Sequence, residues 1–414
     1  MQVVRKMFAL LRLAVLTCCW LIAHCTRTSQ VADDNDADLY LTSPELIAKY
    51  GYPVETHSIQ TEDGYILELH RIPHGKSEPA DTMRPAVLIH HALLCSSFDW
   101  VVLGPQKSLG FILADSGYDV WLANARGNTY SRKHVSLDPA DHKFWEYSWH
   151  EMGTYDVPAE IDFILKKTGQ EKVFYIGHSM GSTMFFVMTS QRPEYNEKIR
   201  AMIAFAPAVF FTPTKNPIYY RIQSIGERLL EGLFYAFGLD EFLPQNGILN
   251  PISIAACKHT LFTSRLCVNF IFFIVGKSSQ LDKKRLEVML AHTPAGGSTR
   301  EVMHFAQEAL SGEFRQFDFG EEKNMDLYGQ ATPPRYNMSL ITTPVALFYS
   351  DNDKLAPEYN VNKVYNALPN VIGKFRVPLK TFNHLDFMWG KDAKTLVFKD
   401  VLTIMKKYEK DSKT

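Results

Sequence analysis

The sequence lacks a surplus of charge of either sign. Its 414 residues contain 44 Lys and Arg against 45 Asp and Glu, which gives a formal net charge of −1. Proteins that bind nucleic acid or anionic membrane surfaces usually carry a basic excess, so this balance argues against both kinds of partner. A hydrophobic content of 46% is enough for a large core, and the length alone is typical of about two domains.

Long hydrophobic runs are also missing, apart from one short run near the start of the chain. Arg5 and Lys6 precede the apolar residues 13–23, a pattern typical of a secretory signal over residues 1–25. A membrane anchor is the alternative, but the run is short and Arg12 interrupts its extension. Because no other segment reaches about twenty apolar residues, we expect no transmembrane segment.

Cysteine is scarce, and much of it falls in the predicted signal. Of the six cysteines, Cys18, Cys19 and Cys25 lie within that signal, and the rest of the chain holds three: Cys95, Cys257 and Cys267. No cluster of Cys and His has the spacing of zinc ligands, so the sequence predicts no metal site.

What the chain does contain is a serine between two glycines, in the pattern G-x-S-x-G. Ser179 follows the apolar residues Val173 to Ile176, which predict a buried strand, and precedes a run compatible with a helix. A sharp turn from strand to helix gives the serine a strained backbone and exposes its oxygen at the sheet edge, as a nucleophile requires. Gly177 and Gly181 keep side chains out of this crossing. A chance match in a loop is the alternative, and the flanking strand and helix argue against it.

A nucleophilic serine needs a base and a group that orients the base. In folds that carry the serine at such a turn from strand to helix, the acid and then the histidine follow the serine along the chain. The apolar run Val345 to Tyr349 predicts another buried strand, and it ends in a polar turn with Asp351 and Asp353. His384 comes later, in a short polar loop before an apolar helix. Taken alone, such residues are also typical of turns and ordinary loops. Their order after Ser179 favours a catalytic triad.

Further motifs occur in order along the chain. They are Tyr50-Gly51-Tyr52-Pro53, Thr61 to Leu67, His91-Ala92-Leu93-Leu94, Asp119 to Leu122, Arg126 to Thr129, Gly177 to Gly181, His292 with Pro294 to Gly296, and Asn383 to Phe387. Together they resemble the acid lipases, the gastric and lysosomal lipase group of the α/β-hydrolases. The resemblance covers the chain from about Thr42 to Tyr408.

The resemblance implies an enzyme that hydrolyses long-chain acyl esters of neutral lipids, triacylglycerol or cholesteryl ester, at a lipid–water interface. It implies a carboxylic ester hydrolase that works without a cofactor, as a monomer, in a secreted (extracellular or gut lumen) or lysosomal location. Two alternatives stay open: an esterase for smaller or unusual esters, and a catalytically silent lipid carrier on the same fold. Loss of the Ser, Asp or His would favour the carrier, and none of the three is lost.

The resemblance also implies roles for particular residues. The family's acid stands one variable position before a Leu-Ala pair, which here is Leu355-Ala356, so Asp353 is favoured over Asp351. The two backbone N–H groups expected to bind the oxyanion belong to Met180 and Leu93.

Two departures from the family pattern lie beside these donors. Ala92 stands where the family usually has glycine, and Met180 stands where gastric-type members have glutamine. Because the donors are backbone groups, neither change removes one. The methyl group of Ala92 adds bulk near the acyl site, and it would add strain if that position required a positive φ.

The predicted secretion and the resemblance together imply two modifications. A disulfide is expected between Cys257 and Cys267, which leaves Cys95 as a free thiol near the acyl site. Asn337, in Asn337-Met338-Ser339, is the predicted glycosylation site.

The pattern of elements predicts an α/β fold, with a mostly parallel sheet and an inserted helical cap. The core covers residues 26–207 and 336–414, and the cap covers residues 208–335. The strand candidates are residues 85–89, 119–123, 173–176, 201–205, 345–349 and 375–377. Within the cap, residues 219–242 have amphipathic spacing. A lid within residues 216–248, opening at a lipid surface, is favoured over simple packing on the core.

Overall fold

A computed structural model describes residues 37–77, 82–211, 240–244, 269 and 271–410. Three predictions fall outside these residues: the signal over residues 1–25, the disulfide between Cys257 and Cys267, and all of the lid except residues 240–244.

The described residues form eleven strands. They are β1 (Glu55–Gln60), β2 (Tyr65–Ile72), β3 (Ala86–His90), β4 (Asp119–Leu122), β5 (Lys133–His134), β6 (Val173–His178), β7 (Ile199–Phe205), β8 (Glu241–Phe242), β9 (Gly297–Ser298), β10 (Val345–Tyr349) and β11 (Val371–Arg376). Nine of them form one sheet, in the order β1-β2-β4-β3-β6-β7-β10-β11 with β5 beside β2. All neighbours from β4 to β11 are parallel, whereas β2 is antiparallel to β1, β4 and β5.

The central strands are apolar because the sheet is covered on both faces. Every residue of β3, β6 and β10 is buried, as expected for parallel strands between two helical layers. Along β3 the side chains alternate between two hydrophobic clusters: Val87 and Ile89 belong to one, Ala86 and Leu88 to the other.

Ten α-helices of four or more residues have both ends in the described part of the chain, which also holds shorter α-helical, 3-10 and π-helical stretches. They are α1 (Ser43–Lys49), α2 (Leu109–Asp115), α3 (Val157–Thr168), α4 (Met180–Gln191), α5 (Leu286–His292), α6 (Thr299–Ser311), α7 (Glu321–Tyr328), α8 (Glu358–Ala367), α9 (Asp386–Trp389) and α10 (Lys399–Lys410). α2 and α10 pack on one face of the sheet, α3 and α4 on the other, which confirms the predicted α/β class. No described helix is both long enough and apolar enough to cross a bilayer.

The chain between β7 and β10, residues 206–344, is inserted into the sheet and contains α5, α6 and α7. The predicted cap falls within this insertion. The sequence predicted a helical cap here, and the structure adds one short antiparallel pair, β8 and β9, for which the sequence analysis proposed no strand. Two-residue strands are defined by their partner rather than by a local pattern, so the sequence alone gives no signal for them.

Candidate active site

The predicted nucleophile lies at the turn between β6 and α4. Ser179 has a φ of 53° and a ψ of −113°, a strained combination for a residue with a side chain. The crossing is tight. A Cβ atom at Gly177 would lie 2.7 Å from the backbone of Gly181, and one at Gly181 would lie 2.7 Å from the carbonyl oxygen of His90. Glycine is therefore required at both positions, because the two backbones leave no room for a methyl group.

Hydrogen bonds around the turn hold the strained serine in place. The Ser179 N–H donates to the carbonyl oxygen of Phe205 on β7 at 2.9 Å. The Ser182 hydroxyl donates to the carbonyl oxygen of Gly177 at 2.7 Å, and the Tyr175 hydroxyl donates to that of Gly181 at 2.8 Å. Backbone strain of about 1–3 kcal/mol persists only where such contacts over-determine the conformation.

The predicted acid and base meet at the same edge of the sheet. His384 Nδ1 donates to Asp353 Oδ2 at 2.8 Å, and both side chains are buried. The other carboxylate oxygen, Oδ1, accepts from the N–H groups of Leu355 and Ala356, each at 2.8 Å. A carboxylate accepts only, so the proton is assigned to Nδ1 of His384, and its Nε2 is left as a proton acceptor.

Asp351, the alternative acid, points elsewhere. Its carboxylate accepts from Arg376 Nε at 2.7 Å on the exposed side of the loop. This hydrogen bond lowers the pKa of Asp351 below its usual range. Only Asp353 of the two aspartates is hydrogen-bonded to His384.

His178 also contributes to the site, and the sequence reasoning missed it. Its Nε2 donates to the carbonyl oxygen of His384 at 2.8 Å, and the two rings lie 4.8 Å apart. Burial lowers the pKa of His178 well below its usual value, so the ring is neutral and Nε2 carries a proton. The only sequence signal for this role was the position of His178 next to Ser179 in the G-x-S-x-G pattern.

The second predicted oxyanion donor lies in the loop after β3. His91 orders this loop, because its Nδ1 donates to the carbonyl oxygen of Ala92 at 2.8 Å and its Nε2 accepts from Ala125 N–H at 3.1 Å. Burial lowers the pKa of His91 to about 3, so the ring stays neutral. The positive φ of this loop falls on Leu94, at 62°, and not on Ala92. The alanine in the family's glycine position therefore adds a buried methyl group without left-handed strain.

The predicted oxyanion donors, Met180 and Leu93, lie on elements that adjoin the turn of Ser179. Met180 is the first residue of α4, so its N–H has no partner within that helix. Leu93 follows β3, which pairs directly with β6, the strand that leads to Ser179. The positive end of the α4 dipole favours negative charge at this point.

Two other predicted residues lie in the loop after β3 and in the turn before β10. Cys95 is a buried free thiol, and burial raises its pKa well above the usual value, which makes it a poor nucleophile. Asn337 is exposed, and its Oδ1 accepts from the Ser339 hydroxyl at 2.6 Å. Among the described residues, no group of three His, Cys, Asp or Glu side chains could hold a metal ion.

A cavity of about 1130 Å³ lies at the opposite edge of the sheet. Its lining includes Pro85, Lys172, Ile199 and Pro344, residues at or just before the first residues of β3, β6, β7 and β10. Ser179 and Asp353 follow the last residues of their strands, so this cavity is not the site that the predicted residues form.

Comparison with known proteins agrees with the architecture. The chain matches the family described as "alpha/beta hydrolase fold" over residues 85–391 and that described as "Partial alpha/beta-hydrolase lipase region" over residues 43–104. A solved structure described as a putative lipase from Sulfolobus solfataricus is similar in fold, with a TM-score of 0.56 at 17% identity. The alignment covers 86% of this chain and 94% of that one.

Relatives with clear sequence similarity carry lipase names. "Lipase 1" of Drosophila melanogaster is 44% identical over 91% of this chain and 82% of its own length. "Gastric triacylglycerol lipase" of Mus musculus is 40% identical over 87% and 90%. "Lysosomal acid lipase/cholesteryl ester hydrolase" of Homo sapiens is 38% identical over 90% and 93%. The chain therefore belongs to the acid lipase family, the gastric and lysosomal lipase group of the α/β-hydrolases, and is a carboxylic ester hydrolase.

Proposed function

We propose that this protein hydrolyses long-chain acyl esters of neutral lipids through a covalent acyl-enzyme. The observation that carries the proposal is the hydrogen bond between His384 Nδ1 and Asp353 Oδ2, at the same sheet edge as the strained Ser179. In this mechanism Ser179 is the nucleophile, His384 is the general base and acid, and Asp353 orients the imidazole.

The reaction has two halves. Ser179 Oγ attacks the ester carbonyl carbon while His384 Nε2 takes the proton of the serine hydroxyl. The carbonyl oxygen becomes negatively charged, and the N–H groups of Leu93 and Met180 bind it. The C–O bond to the alcohol then breaks as His384 returns the proton to the leaving oxygen. A water molecule attacks the acyl group in the same way and releases the fatty acid, which regenerates Ser179. Asp353 stays ionised throughout and stabilises the imidazolium.

The chemistry of the substrate is proposed from the relatives. Triacylglycerol and cholesteryl ester appear in the names of the gastric and lysosomal proteins to which this chain is similar. These names support neutral lipid esters as substrates, and a secreted or lysosomal location. We propose a monomer that acts at a lipid–water interface and has no nucleic-acid partner.

The remaining sequence predictions belong to the same proposal. Residues 1–25 are the signal, residues 208–335 are the cap, and Cys257 is paired with Cys267. Exposure of Asn337 supports glycosylation there, because a transferase must reach the amide. The amphipathic spacing of residues 219–242 supports a lid within residues 216–248, which exchanges contact with the core for contact with lipid.

A substrate panel tests this proposal. The mature protein and its Ser179→Ala variant are assayed on triolein, cholesteryl oleate and a short soluble ester, each from acid to neutral pH. We expect hydrolysis of the long-chain esters, with a steep rise once a substrate exceeds its solubility, and no hydrolysis by the variant. Turnover of the short ester alone would contradict the lipid proposal. Equal turnover below and above solubility would contradict the lid.

A further inference from the structure

The bond between Asp353 and His384 joins two separate loops. Asp353 lies in the loop after β10, and His384 lies in the loop before α9, 31 residues further along the chain. A third piece of chain, residues 276–278 of the insertion, touches both loops. We call it the bridging segment. A helical turn over residues 271–275 leads into it.

The bridging segment is in close contact with the loop of Asp353. Asn352 Nδ2 donates to the carbonyl oxygen of Lys277 at 2.7 Å. Gly276 has a φ of +103°, and a Cβ atom there would lie 2.1 Å from the carbonyl oxygen of Asn352. On the other side of the acid, Lys354 Nζ donates to the carbonyl oxygen of Phe273 at 3.1 Å. That carbonyl lies at the carboxyl end of the helical turn, where a cation is favourable.

The same segment holds the loop of His384. Asn383 Nδ2 donates to the carbonyl oxygen of Gly276 at 2.8 Å, and the Ser278 hydroxyl donates to Asp386 Oδ2 at 2.6 Å. Asp386 Oδ2 also accepts from Asn383 N–H at 2.7 Å, and Asn383 Oδ1 accepts from Asp386 N–H at 3.1 Å. The residues on both sides of His384 are thus tied to each other and to the segment.

We infer that the bridging segment is a positioning element for the reaction, which fixes the Asp353 loop against the His384 loop through Gly276, Lys277 and Ser278. The inference rests on the proposed Ser-His-Asp mechanism. Gly276 is its centre, because its carbonyl oxygen binds Asn383 while its missing side chain admits Asn352. A shift of about 1 Å in a catalytic group can cost about 100-fold in rate, so a contact of this kind affects turnover without touching substrate.

Gly276→Ala tests the contact with the acid loop, and Gly117→Ala is its matched control. Both glycines have a positive φ, +103° and +91°, so both variants carry similar backbone strain. An added Cβ at Gly117 meets no heavy atom within 4 Å. With a short soluble ester, we expect Gly276→Ala to lower kcat by about 10- to 100-fold with little change in KM. Gly117→Ala should keep both constants close to the wild-type values.

Ser278→Ala tests the contact with the histidine loop without backbone strain. Ser116→Ala is the control, since the Ser116 hydroxyl bonds only to the carbonyl oxygen of Ile112 among the hydrogen bonds of the described residues, at 2.6 Å and at the end of α2. We expect Ser278→Ala to lower kcat and the rate of fluorophosphonate labelling of Ser179 together. Ser278→Thr, which keeps the hydroxyl, should restore both, a rescue that a general loss of folding does not allow.

Three outcomes would overturn the inference. One is a wild-type kcat in both Gly276→Ala and Ser278→Ala. Another is an equal loss of kcat in the test and control variants, which would mean general destabilisation. A change in KM alone would mean altered binding and would also overturn the inference. The mechanism fails separately: labelling that persists in Ser179→Ala would contradict the triad itself, whatever the bridging variants do.

Discussion

Neighbouring side chains of the same type have different environments in this protein, and the environment decides what each can do. Asp351 and Asp353 are two residues apart on one loop. Asp353 is buried against His384, and Asp351 is paired with Arg376 on the surface. The same holds for His178 and His384: one ring donates to a backbone carbonyl and is held neutral by burial, and the other has its Nε2 available to accept a proton.

The two aspartates provide a prediction with a built-in control. Asp353→Asn should lower kcat by about 10³- to 10⁴-fold, because an amide in this position favours the wrong tautomer of His384. Asp351→Asn removes only a surface pair with Arg376 and should leave kcat nearly unchanged. Steady-state kinetics on a soluble ester measure both. Equal losses, or the reverse ranking, would contradict the assignment of the acid.

Residue types and their order were enough to predict Ser179 and His384, but other site residues needed more. The preference for Asp353 over Asp351 came from the family pattern, because both aspartates fit a turn at the end of a strand. The contacts of Ser278 and Gly276 with the His384 loop span more than 100 residues of chain. Such contacts have no local pattern, so the bridging segment could not have been predicted from the sequence.

At the scale of elements, the buried parallel strands were predictable and the antiparallel ones were not. β3, β4, β6, β7 and β10 are mostly apolar and almost entirely buried, because helices cover both faces of the sheet. β1 alternates between partly buried and exposed residues and carries polar side chains such as Glu55, His57 and Gln60. Its pairing with β2 gives it its conformation, and the sequence reasoning proposed no strand there.

Arg126 joins two of these elements through a buried ion pair. Its Nε donates to Asp156 Oδ1 at 2.8 Å just before α3, and its guanidinium also binds Asp63 in the turn between β1 and β2. The guanidinium lies 4.0 Å from the centre of the Tyr65 ring. Burial raises the pKa of Asp156 to about 6, and the Arg126 charge opposes that rise.

Loss of the Arg126 charge should therefore destabilise the fold. Arg126→Met leaves Asp156 buried without its partner and should lower the free energy of unfolding by about 3–5 kcal/mol. Arg132→Met is the control, since Arg132 also pairs with a carboxylate, Glu241, and lies 5.2 Å from the ring centre of Trp145, but is partly exposed. Its loss should cost about 0–1 kcal/mol. Urea unfolding compares the two, and equal losses would contradict a special role for the buried pair.

Over the whole molecule, several acids are buried in a way that favours their neutral forms. Burial raises the pKa of Glu301, on α6, to about 8, although the Ser298 N–H that donates to it opposes the rise. Asp156 carries a second negative charge that raises the pKa of Glu301 further, and Arg126 lowers it. A carboxyl group with a raised pKa binds its proton more tightly in the folded chain than in the unfolded one.

The sign of this effect gives a prediction for stability against pH. The contribution of Glu301 is fully present below the usual glutamate pKa, 4.5, and is lost as the pH rises through about 8. Histidines with lowered pKa values, such as His91 and His292, make the fold more stable as the pH rises, but only up to about pH 6.5. Above that pH the histidines of the unfolded chain have already lost their protons, so stability gains nothing more from them. We therefore expect Tm to fall between about pH 6.5 and 8. Glu301→Gln should flatten this fall, and a slope identical to that of the wild type would exclude Glu301 as a cause.

The proposed catalytic mechanism depends on Ser179 being the nucleophile, and covalent labelling measures that most directly. The mature protein is treated with a fluorophosphonate probe, and the modified peptide is identified by mass spectrometry. Ser190→Ala, on the same helix, is the control, because its hydroxyl bonds only within α4 among the hydrogen bonds described here. We predict label on Ser179 in the wild type and in Ser190→Ala, and none in a folded Ser179→Ala. Label on any other residue, or a Ser179→Ala variant labelled at the wild-type rate, would contradict the account.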